Sequence, residues 1–279
     1  MPDILRDRWL KQFLFWEKLR GLKFERAVMP SDAVNSRMRL IVMGDFAKRG
    51  QVVGAWAGFK KSTGQWSCQH LLSRSLLAER NQTIPKGELQ VLTNASNMCW
   101  VLRKMLSDWI SDFIVCGDSV IALCWTSAEK KTLSMFHRNR VVQIRRGTEM
   151  DRLYHVCTEE NLADLGTRPE RVRITDVGPD SLWENGKPWM KEEFSHVIDQ
   201  GILKPIRDLR GNEEKESDEY KDGLIIGSEI PNVFCNTLRT ERISEIQKRI
   251  EFSNYLIIPT RFGFKKVVRI LSLVMAFIS

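Results

Sequence analysis

The chain lacks any apolar run long enough to cross a bilayer, and we expect no secretory leader. Charged residues interrupt residues 1–21 every few positions, so the apolar core of a leader peptide cannot form. The longest apolar stretch, residues 267–279, is shorter than the ~20 residues that a membrane helix needs, and it contains Arg269. We therefore expect no membrane partner, and an intracellular protein of the cytoplasm or the nucleus.

Cysteine and histidine are scarce and wrongly spaced for a metal or disulfide framework. None of the six cysteines forms a CxxC pair, and the four histidines complete no zinc-binding spacing with them. Most of the cysteines lie in apolar segments, which indicates buried free thiols in a reducing compartment. We also expect no small-molecule cofactor.

The composition that is present is that of a folded protein. Hydrophobic residues make up 43% and charged residues 28% of 279 residues, the length of one large or two average domains. The formal net charge of +8 fits a polyanionic partner, although net charge concerns association and says nothing of the fold.

The hydrophobic pattern predicts a mixed α/β fold. Large apolar residues recur at helical spacing near the N-terminus: Leu5, Trp9, Phe13 and Trp16. From residue 37, three apolar segments joined by short turns predict an antiparallel meander. A long helix, a fourth strand, two helices, a fifth strand at 153–157 and a last helix follow. We expect a five-stranded mixed sheet, three antiparallel strands then parallel β-α units, with helices on both faces and helical or irregular flanks.

Four acidic residues stand where these predicted elements begin or end: Asp45, Glu88, Asp118 and Asp164. Sites of open α/β sheets form beyond the carboxyl ends of strands, so these side chains can converge there. Converging carboxylates raise each other's pKa unless a hard cation such as Mg²⁺ neutralises them. Taken singly, each acid is better explained as a turn residue (Asp45), a helix-dipole partner (Glu88), a helix N-cap (Asp118) or a surface charge (Asp164), and only their order along the predicted elements favours a shared site.

Six segments resemble, in order, the ribonuclease H domain of BEL/Pao-type LTR retrotransposon polyproteins. They are GDFAKRGQVVGAWAGFK (44–60), SRSLLAERNQTIPKGEL (73–89), CGDSVIALCWTSA (116–128), NRVVQI (139–144), HVCTEENLADLGTRP (155–169) and LWENGKPWM (182–190). The likeness spans roughly 37–190. It extends weakly to the Trp9/Trp16 helix, which is similar to a connection segment, and to 261–278, which is similar to the approach to an integrase.

The resemblance implies a ribonuclease H-like fold and a two-metal nuclease that hydrolyses the RNA strand of RNA–DNA hybrids. The four acids would be catalytic ligands of two Mg²⁺ ions, with Mn²⁺ as a substitute. His155 stands near the place of a mobile histidine that assists product release, and equally fits a neutral histidine of the fifth strand. In a parent polyprotein, a reverse transcriptase and an integrase would be partners.

Basic and polar side chains around the cleft are candidates for holding the hybrid. The basic candidates are Lys48, Arg49, Lys60, Lys61 and Arg74. Asn139 and Arg140 are further candidates, and helix capping and surface solvation explain them equally well.

The chain divides into four regions in this interpretation. We expect a connection helix segment at 1–34, a ribonuclease H-like domain at 35–172, an extension with a charged linker at 173–235, and a truncated basic helical linker at 236–279. The sequence contains no YxDD polymerase motif, no D-S/T-G protease motif and no His-His-Cys-Cys zinc module.

The sequence also departs from the family pattern. Lys48 stands in place of a serine, Gly87 in place of a large apolar residue, and Cys157 and Leu162 in place of prolines. Glycine costs ~1 kcal/mol in a helix, so we expect Gly87 to loosen the helix start beside Glu88. These departures keep an alternative open, a catalytically degenerate remnant that acts only as a nucleic-acid-binding or interaction module. A transposase-like or exonuclease-like relative is less favoured by the strand order.

Overall fold

The computed structural model describes residues 3–25, 27–79, 82–129, 132–168, 172–209 and 218–224. Within them the chain forms a six-stranded sheet of order β3-β2-β1-β4-β5-β6. The strands are β1 Met38–Ala47, β2 Gly50–Lys60, β3 Trp66–Leu77, β4 Ile110–Gly117, β5 Leu153–Val156 and β6 Leu203–Pro205. The first three form the antiparallel meander, β4 is parallel to β1, and β5 is parallel to β4.

The strand β1 lies at the centre of the sheet and is buried on both faces. Alternate residues of a strand point to opposite faces. Leu40 and Val42 accordingly belong to the core on one face, and Ile41 and Met43 to the core on the other. This is why β1 reads as a continuous apolar run, and it requires helices on both sides of the sheet.

Nine α-helices are described. They are α1 Asp3–Leu19, α2 Ile84–Met105, α3 Val120–Ser127, α4 Met135–Gly147, α5 Asp164–Thr167, α6 Ile174–Val177, α7 Leu182–Asn185, α8 Phe194–Asp199 and α9 Asp218–Asp222. Helices α2 to α4 pack on the first face, and α5 to α8 lie with the core on the second. In the described ranges, no helix is both long and apolar enough to span a membrane.

The start of α2 is well formed, contrary to the expectation for Gly87. The helix begins at Ile84, and the Gly87 amide donates to the Thr83 carbonyl at 2.9 Å. A Cβ at position 87 would lie 2.2 Å from the Phe46 ring. Glycine is therefore required because Phe46 fills the space that a large side chain would take. The two residues compensate each other, so the departure does not misplace Glu88.

The sheet has one strand more than the five predicted. β6 pairs antiparallel with β5, with Leu203 opposite Val156 and Pro205 opposite Tyr154. Three residues that include a proline show no alternation, so no local pattern could indicate this strand. The strand lies in the 173–235 region, much of which packs on the second face through buried Trp183, Trp189 and Met190.

The buried Arg39 attaches that region to the sheet. Its guanidinium donates to the backbone carbonyls of Glu192 and, at 2.5 Å, Met190. It also lies between two aromatic rings, 4.0 Å from the centroid of Trp66 and 4.5 Å from that of Phe194. Burying a charge is costly, and the two carbonyls and two rings offset that cost, while the Arg39 Nε atom has no hydrogen-bond partner among the described residues.

Replacing Arg39 by methionine is expected to lower the free energy of unfolding by about 2–4 kcal/mol. Two buried carbonyls lose their donor, and each unsatisfied group costs about 1–3 kcal/mol. Chemical denaturation gives the stability, and hydrogen exchange should show faster opening of residues 188–194. The matched control is Arg37→Met, because Arg37 makes an exposed hydrogen bond to the Ile110 carbonyl. Equal stabilities for the two variants would contradict the assigned role.

A second segment of the 173–235 region packs on the first face. The Trp125 indole donates to the Tyr220 carbonyl at 3.0 Å, and the two rings stack with centroids 6.2 Å apart. Lys86, in the first turn of α2, forms an ion pair with Asp222 at 2.7 Å. Residues 218–224 thus close over α3 and the start of α2. The predicted 236–279 linker lies outside the described residues.

Candidate metal centre

Three of the predicted carboxylates meet at one edge of the sheet. Each of Asp45, Glu88 and Asp118 offers an oxygen within 4.8 Å of the oxygens offered by the other two. The register explains the first and third: β1 and β4 are parallel, and Asp45 and Asp118 each lie two residues beyond the Met43–Cys116 pair. The side chains at adjacent carboxyl ends of parallel strands are brought together by the sheet itself.

Glu88 reaches the same place from the second turn of α2. The helix crosses close to β1 because Gly44 has no side chain there. A Cβ at Gly44 would lie 2.9 Å from Val91 Cγ2. This close approach places the helix start over the strand end that carries Asp45.

The pKa values of two of these carboxyl groups are raised. Burial raises the pKa of Asp45 to about 7, with the negative charge of Asp118 adding to the effect and the Thr167 hydrogen bond opposing it. Burial also raises the pKa of Glu88 to about 10, and Asp118 and Asp45 add to it. Buried carboxylates of like charge favour the protonated form unless a cation is present.

The Asp118 carboxylate provides the most direct test of whether a metal ion fits this site. Its Oδ1 atom is buried without a hydrogen-bond partner among the described residues, while Oδ2 accepts a hydrogen bond from Thr158 at 3.1 Å. A buried acceptor without a donor is costly, and a metal ion is one partner that removes the cost. Three oxygen ligands and an unpartnered carboxylate oxygen fit a hard divalent cation.

The fourth carboxylate, Asp164, opens α5 beside this group without joining it. The Arg168 Nε atom lies 2.7 Å from Asp164 Oδ1 in an ion pair across one helical turn. The charge of Asp164 still raises the pKa of Asp45, so the two groups are electrostatic neighbours. The structure therefore brings three of the four predicted ligands together and holds the fourth at their margin.

His155 lies next to the end of β4. It stands opposite Gly117 in the β4–β5 pairing, and its Nε2 atom is 3.1 Å from the backbone oxygen of Asp118. A carbonyl oxygen only accepts, so this contact requires the proton on Nε2. The half-buried ring is thus placed beside a candidate metal ligand.

The predicted basic residues fall into two groups. Lys48 and Arg49 form the exposed turn between β1 and β2, next to Asp45, and Arg74 is exposed opposite Val53, which pairs with Gly44. These three lie at the carboxylate edge. Lys60 and Lys61 stand at the other end of β2, roughly 25 Å away at the usual strand rise.

The two lysines at the distant end of β2 are each in an ion pair. Lys60 lies 2.8 Å from Glu193, and Lys61 lies 3.5 Å from Asp32. The structure does not bring these two lysines to the candidate centre.

The two residues predicted on α4 differ in environment. Asn139 is exposed. Arg140 donates to Gln90 Oε1 at 2.5 Å and lies 3.4 Å from the Phe136 ring centroid, so it links α4 to α2. Burial lowers its pKa.

Sequence reasoning did not single out the hydroxyl groups that hold the carboxylates. Thr158 donates to Asp118, and Thr167 donates to Asp45 Oδ2. Both stand in the 155–169 segment that carries the family resemblance, and that resemblance is the signal that could have found them. Their roles depend on long-range contacts between β1, β4 and the segment after β5, which no local pattern shows.

A mixed sheet with this strand order and an acidic group at its edge is a ribonuclease H-like α/β fold, as expected. Residues 1–119 match the family model described as "Pao retrotransposon-like RNaseH-like domain". The match confirms the resemblance inferred from the motifs within residues 1–119. The match includes α1 and three of the four predicted ligands, and it ends before His155 and Asp164.

Comparison with solved structures finds a likeness to RNase H1 from the halophilic archaeon Halobacterium salinarum NRC-1. The identity is 16%, the TM-score is 0.28, and the likeness covers 46% of this chain and 90% of that chain. At that TM-score it has no bearing on function. A comparison with curated proteins finds no match.

Proposed function

We propose that this protein is a divalent-metal-dependent endonuclease that hydrolyses the RNA strand of RNA–DNA hybrids. The observation that carries the proposal is the group of Asp45, Glu88 and Asp118, whose oxygens lie within 4.8 Å of one another. The family match over residues 1–119 supports the choice of chemistry.

The metal in this proposal is Mg²⁺, with Mn²⁺ as a substitute. Asp45, Glu88 and Asp118 would hold one ion, and Asp164 would complete the ligands of a second. Bound ions of this kind activate water and stabilise the leaving oxygen of a phosphodiester displacement. The carboxylates contribute fixed oxygen ligands at the ends of three rigid elements, which keeps the reacting phosphate in one place.

The hybrid would be held by its backbone and its 2′-hydroxyl groups, because base edges are poorly accessible in such helices. Lys48, Arg49 and Arg74 are the basic side chains placed at the carboxylate edge. We include His155 as a residue that assists product release, since its ring lies against the backbone of Asp118. A reverse transcriptase and an integrase would accompany this domain in a parent polyprotein.

The salt dependence of hybrid binding should distinguish the two groups of basic residues. Replacing Lys48 and Arg49 by alanine is expected to weaken binding, and to reduce the slope of log K against log salt by about one per residue. The matched control replaces Lys60 and Lys61, which lie at the other end of β2 in ion pairs. A larger loss in the control variant would place the binding surface elsewhere.

A substrate panel tests the function directly. End-labelled RNA–DNA hybrid, single-stranded RNA, double-stranded RNA and double-stranded DNA are incubated with the full chain in Mg²⁺, in Mn²⁺, in Ca²⁺ or in EDTA. We expect internal cleavage of the RNA strand of the hybrid in Mg²⁺ or Mn²⁺, and no cleavage in Ca²⁺ or EDTA. Hybrid binding without cleavage in Mg²⁺ or Mn²⁺ would support the alternative, a remnant that only binds nucleic acid.

A further inference from the structure

The turn that closes α5 contacts two of the four carboxylates at once. The Thr167 hydroxyl donates a hydrogen bond to Asp45 Oδ2, and it lies 3.2 Å from the backbone oxygen of Asp164. The next residue, Arg168, pairs with the Asp164 carboxylate at 2.7 Å. Two adjacent side chains therefore contact two candidate ligands: Thr167 contacts Asp45 of the central strand, and Arg168 contacts Asp164 of α5.

This turn is held firmly against the sheet. A Cβ at Gly166 would lie 2.8 Å from Val52 Cγ1, so the turn packs as closely as the backbone allows. Asn161, just before α5, donates to the Gly44 carbonyl at 3.0 Å. Gly44 and Val52 flank Asp45 along and across the strands. The Thr167 hydroxyl thus has a fixed position relative to the Asp45 carboxylate.

The two strand-end carboxylates share one arrangement. In each, a threonine hydroxyl bonds Oδ2: Thr167 bonds Asp45, and Thr158 bonds Asp118. The Oδ1 atom of Asp118 has no hydrogen-bond partner among the described residues. Fixing one oxygen of a carboxylate orients the other oxygen toward a metal and lowers the entropy that binding must remove.

The Asp164 carboxylate, by contrast, already has a positively charged partner. That partner is a guanidinium, which is always charged near neutral pH. A cation that recruits Asp164 must displace Arg168 or share the carboxylate with it. The ion pair is partly exposed, with side-chain exposures of 38% for Arg168 and 21% for Asp164, so it can open.

We propose that Thr167 and Arg168 are positioning residues that divide the centre into two metal positions of unequal affinity. Thr167 orients Asp45 for a first ion held with Glu88 and Asp118, and Arg168 competes with a second ion for Asp164. This inference rests on the proposed metal-dependent function.

Isothermal titration of the full chain with Mg²⁺ and Mn²⁺, without nucleic acid, tests the division. The wild type should bind one ion more tightly than the other. Arg168→Leu should lower the Kd of the weaker position about tenfold and leave the tighter one unchanged. Thr167→Val should raise the Kd of the tighter position about 10–100-fold, the usual cost of losing an outer hydrogen bond. Thr167→Ser should restore it, because the hydroxyl remains.

The matched control is Arg173→Leu, because Arg173 forms a similar short-range ion pair with Asp176. It should leave both affinities unchanged. Thr167→Ala replaces Thr167→Val if the valine variant does not fold. An unchanged or weaker second position in Arg168→Leu, or a serine variant as poor as the valine variant, would overturn the inference.

The same titration separates this inference from the proposed function. A wild-type chain that binds neither metal fails the proposed function itself. A wild-type chain that binds metal and cleaves hybrid, but whose Thr167 and Arg168 variants keep both affinities, fails only the inference. The Mg²⁺ concentration for half-maximal cleavage provides a second measurement and should fall in Arg168→Leu.

Discussion

Replacing Glu88 by glutamine is expected to stabilise the metal-free protein while weakening its binding of Mg²⁺. Burial and two neighbouring carboxylates raise the pKa of Glu88 to about 10, so the folded state must take up a proton at pH 7 that the unfolded state does not bind. Glutamine is neutral without that proton. The free energy of unfolding should rise by about 1–3 kcal/mol, or about 2–4 °C in Tm per kcal/mol.

The size of this effect depends on pH. Because the folded-state pKa of Glu88 is above its unfolded value, the metal-free protein loses stability as pH rises from about 4.5 toward 10. The glutamine variant should show a flatter profile over that range. Thermal unfolding in EDTA across this range measures it, and the exposed Glu25→Gln serves as the control. A glutamine variant less stable than wild type at pH 8 in EDTA would contradict the charge argument.

Mg²⁺ binding should strengthen steeply as pH rises. Below about pH 7 an ion must displace protons from both Asp45 and Glu88, and between about 7 and 10 from Glu88 alone. The apparent Kd should therefore fall up to about a hundredfold per pH unit below 7, and about tenfold per unit above it. The two carboxyls titrate as a coupled group, so the change of slope near pH 7 is a property of the pair and not of Asp45 alone.

Calorimetry in two buffers of different ionisation enthalpy measures the protons released. We expect about two protons per ion at pH 6 and about one at pH 8. The Glu88→Gln variant is the control, because it should release fewer protons at both pH values. Binding without proton release would show that the carboxylates are already ionised, in conflict with their burial.

The strand-end acids could be predicted from the sequence for a physical reason. A strand buried on both faces is a continuous apolar run, so an acid that ends the run marks the sheet edge. Asp45 and Asp118 satisfy this rule, and the parallel pairing of β1 and β4 places them side by side. The approach of Glu88 depends on the Gly44–Val91 contact, which only the fold shows.

Other features of the fold could not be predicted from local sequence patterns. The strand β6 has three residues and pairs with a strand 47 positions earlier, as Val156 opposite Leu203 shows. Arg39 is a charged residue inside an apolar run, a signal of a buried partner, but its acceptors lie about 150 positions away in sequence. The Thr167 contact with Asp45 is similarly remote. Such pairings are set by tertiary packing, which propensity and periodicity do not encode.

The family departures also look different in the structure. Gly87 was the reason to expect a loosened helix start, and its missing side chain is matched by the Phe46 ring, which occupies the same space. The three-carboxylate group is formed with this glycine in place. The degenerate alternative therefore receives no support from the geometry at this position, and measurement of turnover decides it.

The most direct measurement is the single-turnover cleavage rate of an end-labelled RNA–DNA hybrid in Mg²⁺, for wild type and for Asp118→Asn. Asparagine keeps the shape of the side chain and removes a charge from the centre. We predict Mg²⁺-dependent internal cleavage of the RNA strand by wild type, and a rate at least about a hundredfold lower in the variant. Loss of a residue that only supports a metal ligand costs about 10–100-fold, so a larger loss indicates that Asp118 binds the metal directly. Equal rates, or no cleavage by wild type that binds both hybrid and Mg²⁺, would contradict the assignment.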